Sequence, residues 1–378
     1  MKICHVTSQH EWNDDRIYQR ACVGLAAMGY DLSLIATHEG KEEFISQGVR
    51  IIPLTNRPKN FKRRILSSYE AMKKIKKMNV DIIHFHDPDL LPFMLLLSFS
   101  RKGIIYDIHE NYISRIQEKK NWPLFFRKFL SGCFRGFETF CINRFSGFTV
   151  TTTTMGNMFK HAKKPFCVTS NVPYLSVLPK DLHLNEKNNY PSVYISGSHS
   201  RARNCIEIIE AIPTVAAAVP GIRFIFAGKY VPEDFKKTMA DLADQKGVAS
   251  NLVLEGNLPW LENFNRTSTM HVGLVFYQDN LNNRVTIPNR LFEYMAAGCA
   301  VIGEYFPEVQ QVIHDANCGW VVNSSNPSEI AAAVIDAFAD PQRLKLFSSN
   351  ARKAVEEKYN YENELDRLIA YYKKIATT

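Results

Sequence analysis

The sequence predicts an α/β protein of two doubly wound, parallel-sheet domains, and three observations carry that prediction. Short β-branched runs alternate with amphipathic helical segments along almost the whole chain of 378 residues. The apolar runs are continuous rather than alternating, as expected of strands buried on both faces of a parallel sheet. The pattern stops near residue 172, crosses a polar stretch containing Lys187-Asn188-Asn189-Tyr190, and starts again. Length agrees, because 378 residues exceed one ordinary core and suit two.

In the first half the expected strands are 2–7, 31–37, 49–54, 80–86, 103–109, 148–153 and 166–171. In the second half they are 192–197, 222–228, 251–257, 271–277, 300–304 and 319–323. Ile17, Ala21 and Leu25 recur at helical spacing, and Gly29 stands where a C-terminal cap belongs. The tail, roughly 342–375, reads as helix without a strand. The expected domains are 1–172 and 173–355, with a final helix, 356–378, crossing back to the first. Two doubly wound domains facing a central cleft would place ligands at the carboxyl ends of their strands.

Composition excludes several classes. Hydrophobic residues make up 46% and charged residues 22%, so the chain is not disordered. The eight cysteines include no CxxC pair and no zinc-finger spacing, which favours reduced core thiols in a cytosolic protein. The most hydrophobic stretch, 90–98, is about half a membrane span and contains Pro92, so no transmembrane helix is expected. The N-terminal apolar run is too short for a signal peptide. The net charge is +8, yet residues 1–172 hold 26 of the 46 Lys+Arg and only 15 of the 38 Asp+Glu. Such asymmetry points to an anionic partner for the first half. Two basic amphipathic helices rich in aromatics, 61–77 and 122–148, single out an anionic membrane surface. Nucleic acid is not expected, because the aromatics are predicted to face the core.

Chemistry is sought in the strand-to-helix loops. The first loop is Ser8-Gln9-His10-Glu11-Trp12-Asn13-Asp14-Asp15-Arg16, in which Asp14 or Asp15 also suits a helix cap. Alternation along a strand places His84 and His86 on one face, with Asp87 turning the chain before Pro88. A metal held by these three is weaker than a structural role. His109 and Glu110 end another strand, where a histidine suits hydrogen bonding to a sugar hydroxyl or acid–base work. In the second half, Gly197-Ser198 is followed by His199, Arg201, Arg203 and a helix. A glycine permitting close approach, a helix N-terminus and arginines together fit a diphosphate. The segment Ile287-Pro288-Asn289-Arg290-Leu291-Phe292-Glu293 reads as a helix start, with Glu293 able to accept two ribose hydroxyls.

The strings DDRI, HFHDPDLLP, YDIHENY, PNRLFEYMAAG and YFPE, in that order within residues 1–360, resemble the family 4 retaining glycosyltransferases of GT-B fold. They resemble most the bacterial enzymes of surface-polysaccharide assembly. The resemblance implies two Rossmann-like domains and a nucleotide-sugar donor, UDP- or GDP-linked, in the second. It implies catalytic roles for His109 and Arg203, and donor binding by Gly197, Ser198, Arg201, Asn289, Arg290, Leu291 and Glu293. Asp15, Arg16, His86 and Glu110 fall on the acceptor side. The acceptor would be a saccharide or a lipid-diphosphate-linked sugar, no metal or other cofactor is expected, and the departing phosphate would take the acceptor's proton. The implied location is cytoplasmic, peripheral at the inner face of the membrane. One departure stands out: Val285 occupies the position of the first glutamate of the family's pair. A nucleotide-sugar epimerase of the same fold, or a degenerate homologue that scaffolds an assembly, are the alternatives.

Overall fold

The computed structural model describes residues 1–55, 60–119, 121–179 and 187–377. The expected linker therefore lies partly outside the described residues. Two compact units form: Met1–Asn171 with Tyr361–Thr378, and Val172–Asn360.

The first unit is built on β1 (Lys2–Glu11), β2 (Asp31–Thr37), β3 (Phe44–Ser46), β4 (Val49–Leu54), β5 (Ile82–Phe85), β6 (Ile104–Ile108), β7 (Gly147–Val150) and β8 (Phe166–Val168). Their order across the sheet is β3-β4-β2-β1-β5-β6-β7-β8. All neighbours are parallel except β3 with β4. The second unit holds β9 (Ser192–His199), β10 (Arg223–Tyr230), β11 (Leu252–Glu255), β12 (Val272–Val275), β13 (Ala300–Glu304) and β14 (Gly319–Val322). They form an all-parallel sheet in the order β11-β10-β9-β12-β13-β14. In each sheet the direction of winding reverses once, between β1 and β5 and between β9 and β12. A doubly wound sheet opens a crevice at such a reversal, beyond the carboxyl ends of the strands.

Four local features differ from the sequence prediction. Strand β3 is unannounced: it is three residues long and turns into β4 through Gln47 and Gly48, both at positive φ (47° and 78°). Those two angles make a primed two-residue hairpin, for which Gln-Gly is a weaker signal than Asn-Gly. The first helix is wound as a π-helix over Asp15–Cys22 before becoming α-helical at Val23. Asp14 caps it, accepting from the backbone N–H groups of Arg16 and Ile17. Pro288 is the residue before the helix Asn289–Ala296 rather than its first member.

The fourth difference concerns the helix Leu124–Arg144. Its aromatics do not face the core. Only Ser131, Glu138, Cys141 and Ile142 are buried, while Phe125 is 74% exposed, Phe129 67% and Phe140 55%. The helix Phe61–Lys76 is split: Met72 and Ile75 are buried, but Ile65 and Tyr69 are exposed.

The final helix, Tyr361–Ala376, belongs to the first unit and buries Tyr361, Leu365, Leu368, Ile369, Tyr372 and Ile375 along one stripe. The Tyr371 hydroxyl donates to the Pro165 carbonyl (2.8 Å) and reaches that of Phe148 (3.2 Å). Gly147 lies beneath it, and a Cβ there would sit 1.9 Å from the Tyr371 oxygen. Overpacking of this kind costs about 1–3 kcal/mol. Gly147→Ala is therefore expected to lower the melting temperature by several degrees, measured by calorimetry. An unchanged transition would show that the helix yields freely.

Candidate functional site

Polar side chains gather at both reversals. In the first unit His5 on β1 lies directly opposite His84 on β5, and Asp107 on β6 lies opposite Thr149 on β7. With His86 and Tyr372 these residues close a buried ring of contacts. Asp107 Oδ2 meets His86 Nδ1 at 2.9 Å, and His86 Nε2 meets His5 Nδ1 at 2.9 Å. His5 Nε2 meets the Tyr372 hydroxyl at 3.3 Å, which meets His84 Nδ1 at 2.5 Å. His84 Nε2 meets Thr149 Oγ1 at 3.0 Å, and that hydroxyl donates to Asp107 Oδ1 at 2.7 Å.

Counting protons orients the ring. A carboxylate brings none, and three neutral imidazoles and two hydroxyls bring one each. Because Thr149 donates to Asp107, His84 donates from Nε2, and Tyr372 then donates to His84 Nδ1. On the other side His86 donates to Asp107 and His5 donates to His86. All available protons are then placed, and the link without one is His5–Tyr372, the longest contact of the ring. Filling it would need an imidazolium in a dry interior beside Arg16. Burial opposes that first, and the neighbouring imidazoles second, so His5 is held well below its ordinary value. Burial takes His84 down to about 3 and lowers His86 as well. His5, His84 and His86 are also the buried group whose nitrogens lie close enough together to suggest a metal. Their nitrogens, however, face one another or ring partners at hydrogen-bond distance, and this is the geometry of an internal network.

Arg16 donates from Nη2 to both oxygens of Asp107 at 3.0 Å. Burial by itself would raise the Asp107 carboxyl, but Arg16, His109 and His86 hold it well below the usual range. His109 Nδ1 stands 3.6 Å from Asp107 Oδ2. Across from it, His10 stacks edge-on with His109 at 6.0 Å between ring centres.

In the second unit β9 ends at Gly197, Ser198 and His199. Gly197 has φ +95°, and no atom lies within 4 Å of where its Cβ would be, so conformation rather than crowding selects glycine. A short 3-10 turn, Arg201–Arg203, then leads through Asn204 (φ +51°) into the helix Cys205–Ala218. The Asn204 amide donates to Ser324 Oγ at 2.5 Å, and Ser324 in turn bonds the buried Glu304 at the end of β13. Arg203 bonds the Tyr277 hydroxyl (2.6 Å), and its guanidinium lies 4.3 Å from that ring's centre. The Arg290 guanidinium lies 4.5 Å from the same ring. It donates to the carbonyls of Phe276, just past β12 (2.6 Å), and Ser196, within β9 (3.2 Å), and its Nε is buried without a partner. Among the described residues neither arginine has a carboxylate partner. Burial first, and Arg290 second, push the Arg203 guanidinium down. Burial, then Arg290, takes His199 down to about 4, so it offers no negative charge and little positive. Two guanidiniums without a carboxylate partner beside a helix N-terminus suit an anion.

Residues 16–171 match the model "Glycosyltransferase Family 4" and residues 180–354 match "Glycosyl transferases group 1". The chain belongs to the GT-B glycosyltransferases. Solved structures match over the full length. Sucrose-phosphate synthase of Thermosynechococcus elongatus shares 14% identity, with 100% of this chain and 99% of that one covered and a TM-score of 0.75. HepE of Anabaena in complex with UDP shares 14%, with 99% and 100% covered and a TM-score of 0.74. WaaG, a glycosyltransferase involved in lipopolysaccharide biosynthesis, shares 15%, with 99% of both covered and a TM-score of 0.68. At such identities these structures establish the fold. A sequence search of curated proteins gives no significant match.

Within this glycosyltransferase the residues singled out from sequence are distributed unevenly. Gly197, Ser198, Arg203 and Arg290 gather at the β9–β12 reversal, and Arg201 is exposed on the turn before Arg203. The Arg290 guanidinium is held between two neighbouring strands, on the carbonyls of Ser196 and Phe276. Leu291 is fully buried, so its side chain packs the core and does not touch a donor. Glu293 is half-buried and Asn289 exposed on the helix Asn289–Ala296. Asn283 and Thr286, on either side of Val285, bond backbone carbonyls of their own loop, those of Gln278 and Asn282. In the first unit Arg16 and His109 both meet Asp107. His86 is 2% exposed within the ring and holds Asp107 instead of touching an acceptor directly. Asp15 pairs with Arg20 (2.7 Å) at the surface, and Glu110 pairs with Arg115 (2.5 Å). Sequence reasoning missed Asp107, Tyr277 and His10 as site residues. Asp107 lies in the string YDIHENY, while Tyr277 and His10 carry no signal beyond their place near strand ends.

The ring sets an acid limit on stability. Histidines held below their ordinary value of 6.5 favour the folded state fully above that pH. Their contribution falls as pH drops from 6.5 towards the folded value, about 3 for His84. The lowered carboxyls of Asp87 and Asp107 act in the same direction. His10, raised by Asp87, opposes them, adding stability in acid that is lost as pH rises through its folded value. The melting temperature is expected to fall steadily below pH 6.5, followed by fluorescence. A transition unchanged down to pH 4 would contradict the neutral ring.

Proposed function

We propose that this glycosyltransferase takes a sugar from a nucleotide-sugar donor, with retention, and passes it to a saccharide or lipid-linked acceptor in surface-polysaccharide assembly. The observation that carries the reading is the pair Arg203 and Arg290 over one tyrosine ring, with no carboxylate between them. Such a site suits a diphosphate on which charge builds as the sugar departs. Preformed donors in a dry site stabilise that charge without reorganisation. Gly197 leaves room above the loop, and Glu293 on the adjoining helix supplies the ribose contact. HepE has been solved with UDP and with UDP-glucose, which supports a nucleotide-sugar partner here. WaaG supports the polysaccharide setting. Val285 leaves the sugar-side contact of the usual first glutamate to be made by other groups.

Arg203→Ala is expected to lower the transfer rate by roughly 10²-fold or more, the scale of one lost oxyanion-type contact. A turnover near that of the wild type would remove Arg203 from the mechanism. In a thermal-shift series of UDP-, GDP-, ADP- and CDP-sugars, a UDP- or GDP-sugar is expected to raise the melting point most, since a ligand binding only the folded state stabilises it. No shift with any of them would sink the donor reading.

The acceptor reading carries a membrane with it. Among the described residues no helix is long and apolar enough to cross a bilayer. The helix Leu124–Arg144 instead exposes Leu124, Phe125, Phe129, Phe137 and Phe140 beside exposed Lys128 and Arg135. An exposed apolar helix face flanked by cations fits the interface of an anionic bilayer, with the protein peripheral at the inner face of the cell membrane. Binding to liposomes containing phosphatidylglycerol at low salt is expected, together with its loss in Phe125→Ser/Phe129→Ser. Equal binding of wild type and variant would contradict this placement.

A further inference from the structure

Tyr277 stands two residues past β12, in a segment tied to the elements on either side. The N–H of the next residue, Gln278, donates to the Ala202 carbonyl at 3.0 Å, in the turn that carries Arg203. The N–H of Tyr277 itself bonds the buried Glu304 carboxylate at the end of β13. The backbone therefore places the phenol, whatever its side chain does. That side chain is half-buried.

The phenol makes two separate kinds of contact. Its ring is shared by both guanidiniums, with Arg203 4.3 Å and Arg290 4.5 Å from the centre. Like charges this close repel, and Arg290 already works against the charge on Arg203. The negative face of an aromatic ring offsets part of that repulsion. The hydroxyl is a second matter. A phenol has one proton to give and lone pairs with which to accept. Arg203 Nη1 donates to the Tyr277 oxygen at 2.6 Å, which engages a lone pair and leaves the proton unplaced. Among the described residues no acceptor takes that proton. Linked hydrogen bonds polarise one another, so a phenol that accepts from a cation is a stronger donor in turn.

We propose that the Tyr277 hydroxyl donates to an oxygen of the diphosphate, as the third member of the anion site beside Arg203 and Arg290, while its ring holds the two guanidiniums together before the anion arrives. This rests on the nucleotide-sugar reading above and adds a residue to it. The relay runs one way, from the Arg203 N–H to the Tyr277 oxygen and from the Tyr277 O–H to a phosphate oxygen. A neutral donor suits this place. A third cation would add to the repulsion in the free protein, and a carboxylate would occupy the arginines that the anion needs. The proton stays on Tyr277 throughout, and no bond to it forms or breaks. As charge builds on the diphosphate its hydrogen bonds strengthen, which puts Tyr277 on the leaving-group side of the transfer.

Calorimetric titration of UDP, pyrophosphate and uridine at pH 8 into wild type, Tyr277→Phe and Tyr277→Leu tests this. The Phe variant keeps the ring and is expected to bind UDP and pyrophosphate about 10-fold or more weakly, the scale of one hydrogen bond to a charged group, with uridine unchanged. The Leu variant loses the ring as well and is expected to bind both anions more weakly still. Melting temperatures of the unliganded variants check that both fold, and the Phe variant alone decides the hydroxyl. UDP affinity within twofold of wild type in Tyr277→Phe would overturn the hydroxyl's role and leave the donor reading standing. Equal losses in the two variants would overturn the role of the ring. A loss for uridine as large as that for UDP would mark a general distortion and overturn the assignment. Pyrophosphate carries the anion without a nucleoside, so it separates the two readings. If it needs the Tyr277 hydroxyl while UDP binds wild type no better than uridine, the assignment holds and the nucleotide reading falls. If neither anion binds the wild type, both fall.

Discussion

Asp107 is the carboxylate on which the polar interior of the first unit depends. It sits on β6 opposite Thr149, accepts from His86 and Thr149, and faces Arg16 with both oxygens. Take it away, and a guanidinium, three imidazoles and two hydroxyls lose the acceptor that orders them. Breaking a buried charged pair by removing one partner costs about 3–5 kcal/mol, because the other charge is left alone. Through Tyr372 the same ring reaches the last helix, so the carboxyl end of the chain is held by the network that orients Arg16. His109 stands at the edge of that network, 3.6 Å from Asp107.

The second unit handles charge in the opposite way. It brings Arg203 and Arg290 to one aromatic ring and supplies no carboxylate. Arg290 donates to the carbonyls of Ser196 within β9 and Phe276 just past β12, which ties together the two strands between which the sheet reverses. Like charges held close together in a dry site are a cost to the free protein. Such strain at a functional site is explicable when a ligand relieves it, and an anion of two charges would do so. The loop that carries Arg203 is rigid for its own reasons: Asn204 in the left-handed conformation is tied through Ser324 to Glu304.

Much of this was legible in the sequence, for identifiable reasons. Parallel sheets buried on both faces leave continuous apolar runs, so strands such as Asp31–Thr37, Val49–Leu54 and Ala300–Glu304 emerge with their observed ends. The two-residue period of a strand put His84 and His86 on one face, and their rings stack at 4.9 Å. Short elements without burial left no such trace: β3 is an edge strand of three residues. The aromatics between Trp122 and Phe148 misled because periodicity cannot distinguish a stripe facing the core from one facing outward. The site was legible only where a motif exists. Glu293, Asp87 and Asp107 stand in recognisable strings, but the contacts of His10, Asp87 and Asp107 come from β1, β5 and β6 lying side by side, which is a property of the topology.

The most direct measurement of the central claim is a calorimetric titration comparing UDP with uridine on wild type and Arg203→Ala. If the paired guanidiniums bind a diphosphate, UDP binds the wild type far more tightly than uridine, and the substitution removes most of that difference while leaving uridine unaffected. Equal affinities of UDP and uridine for the wild type, or a difference untouched by the substitution, would contradict the account.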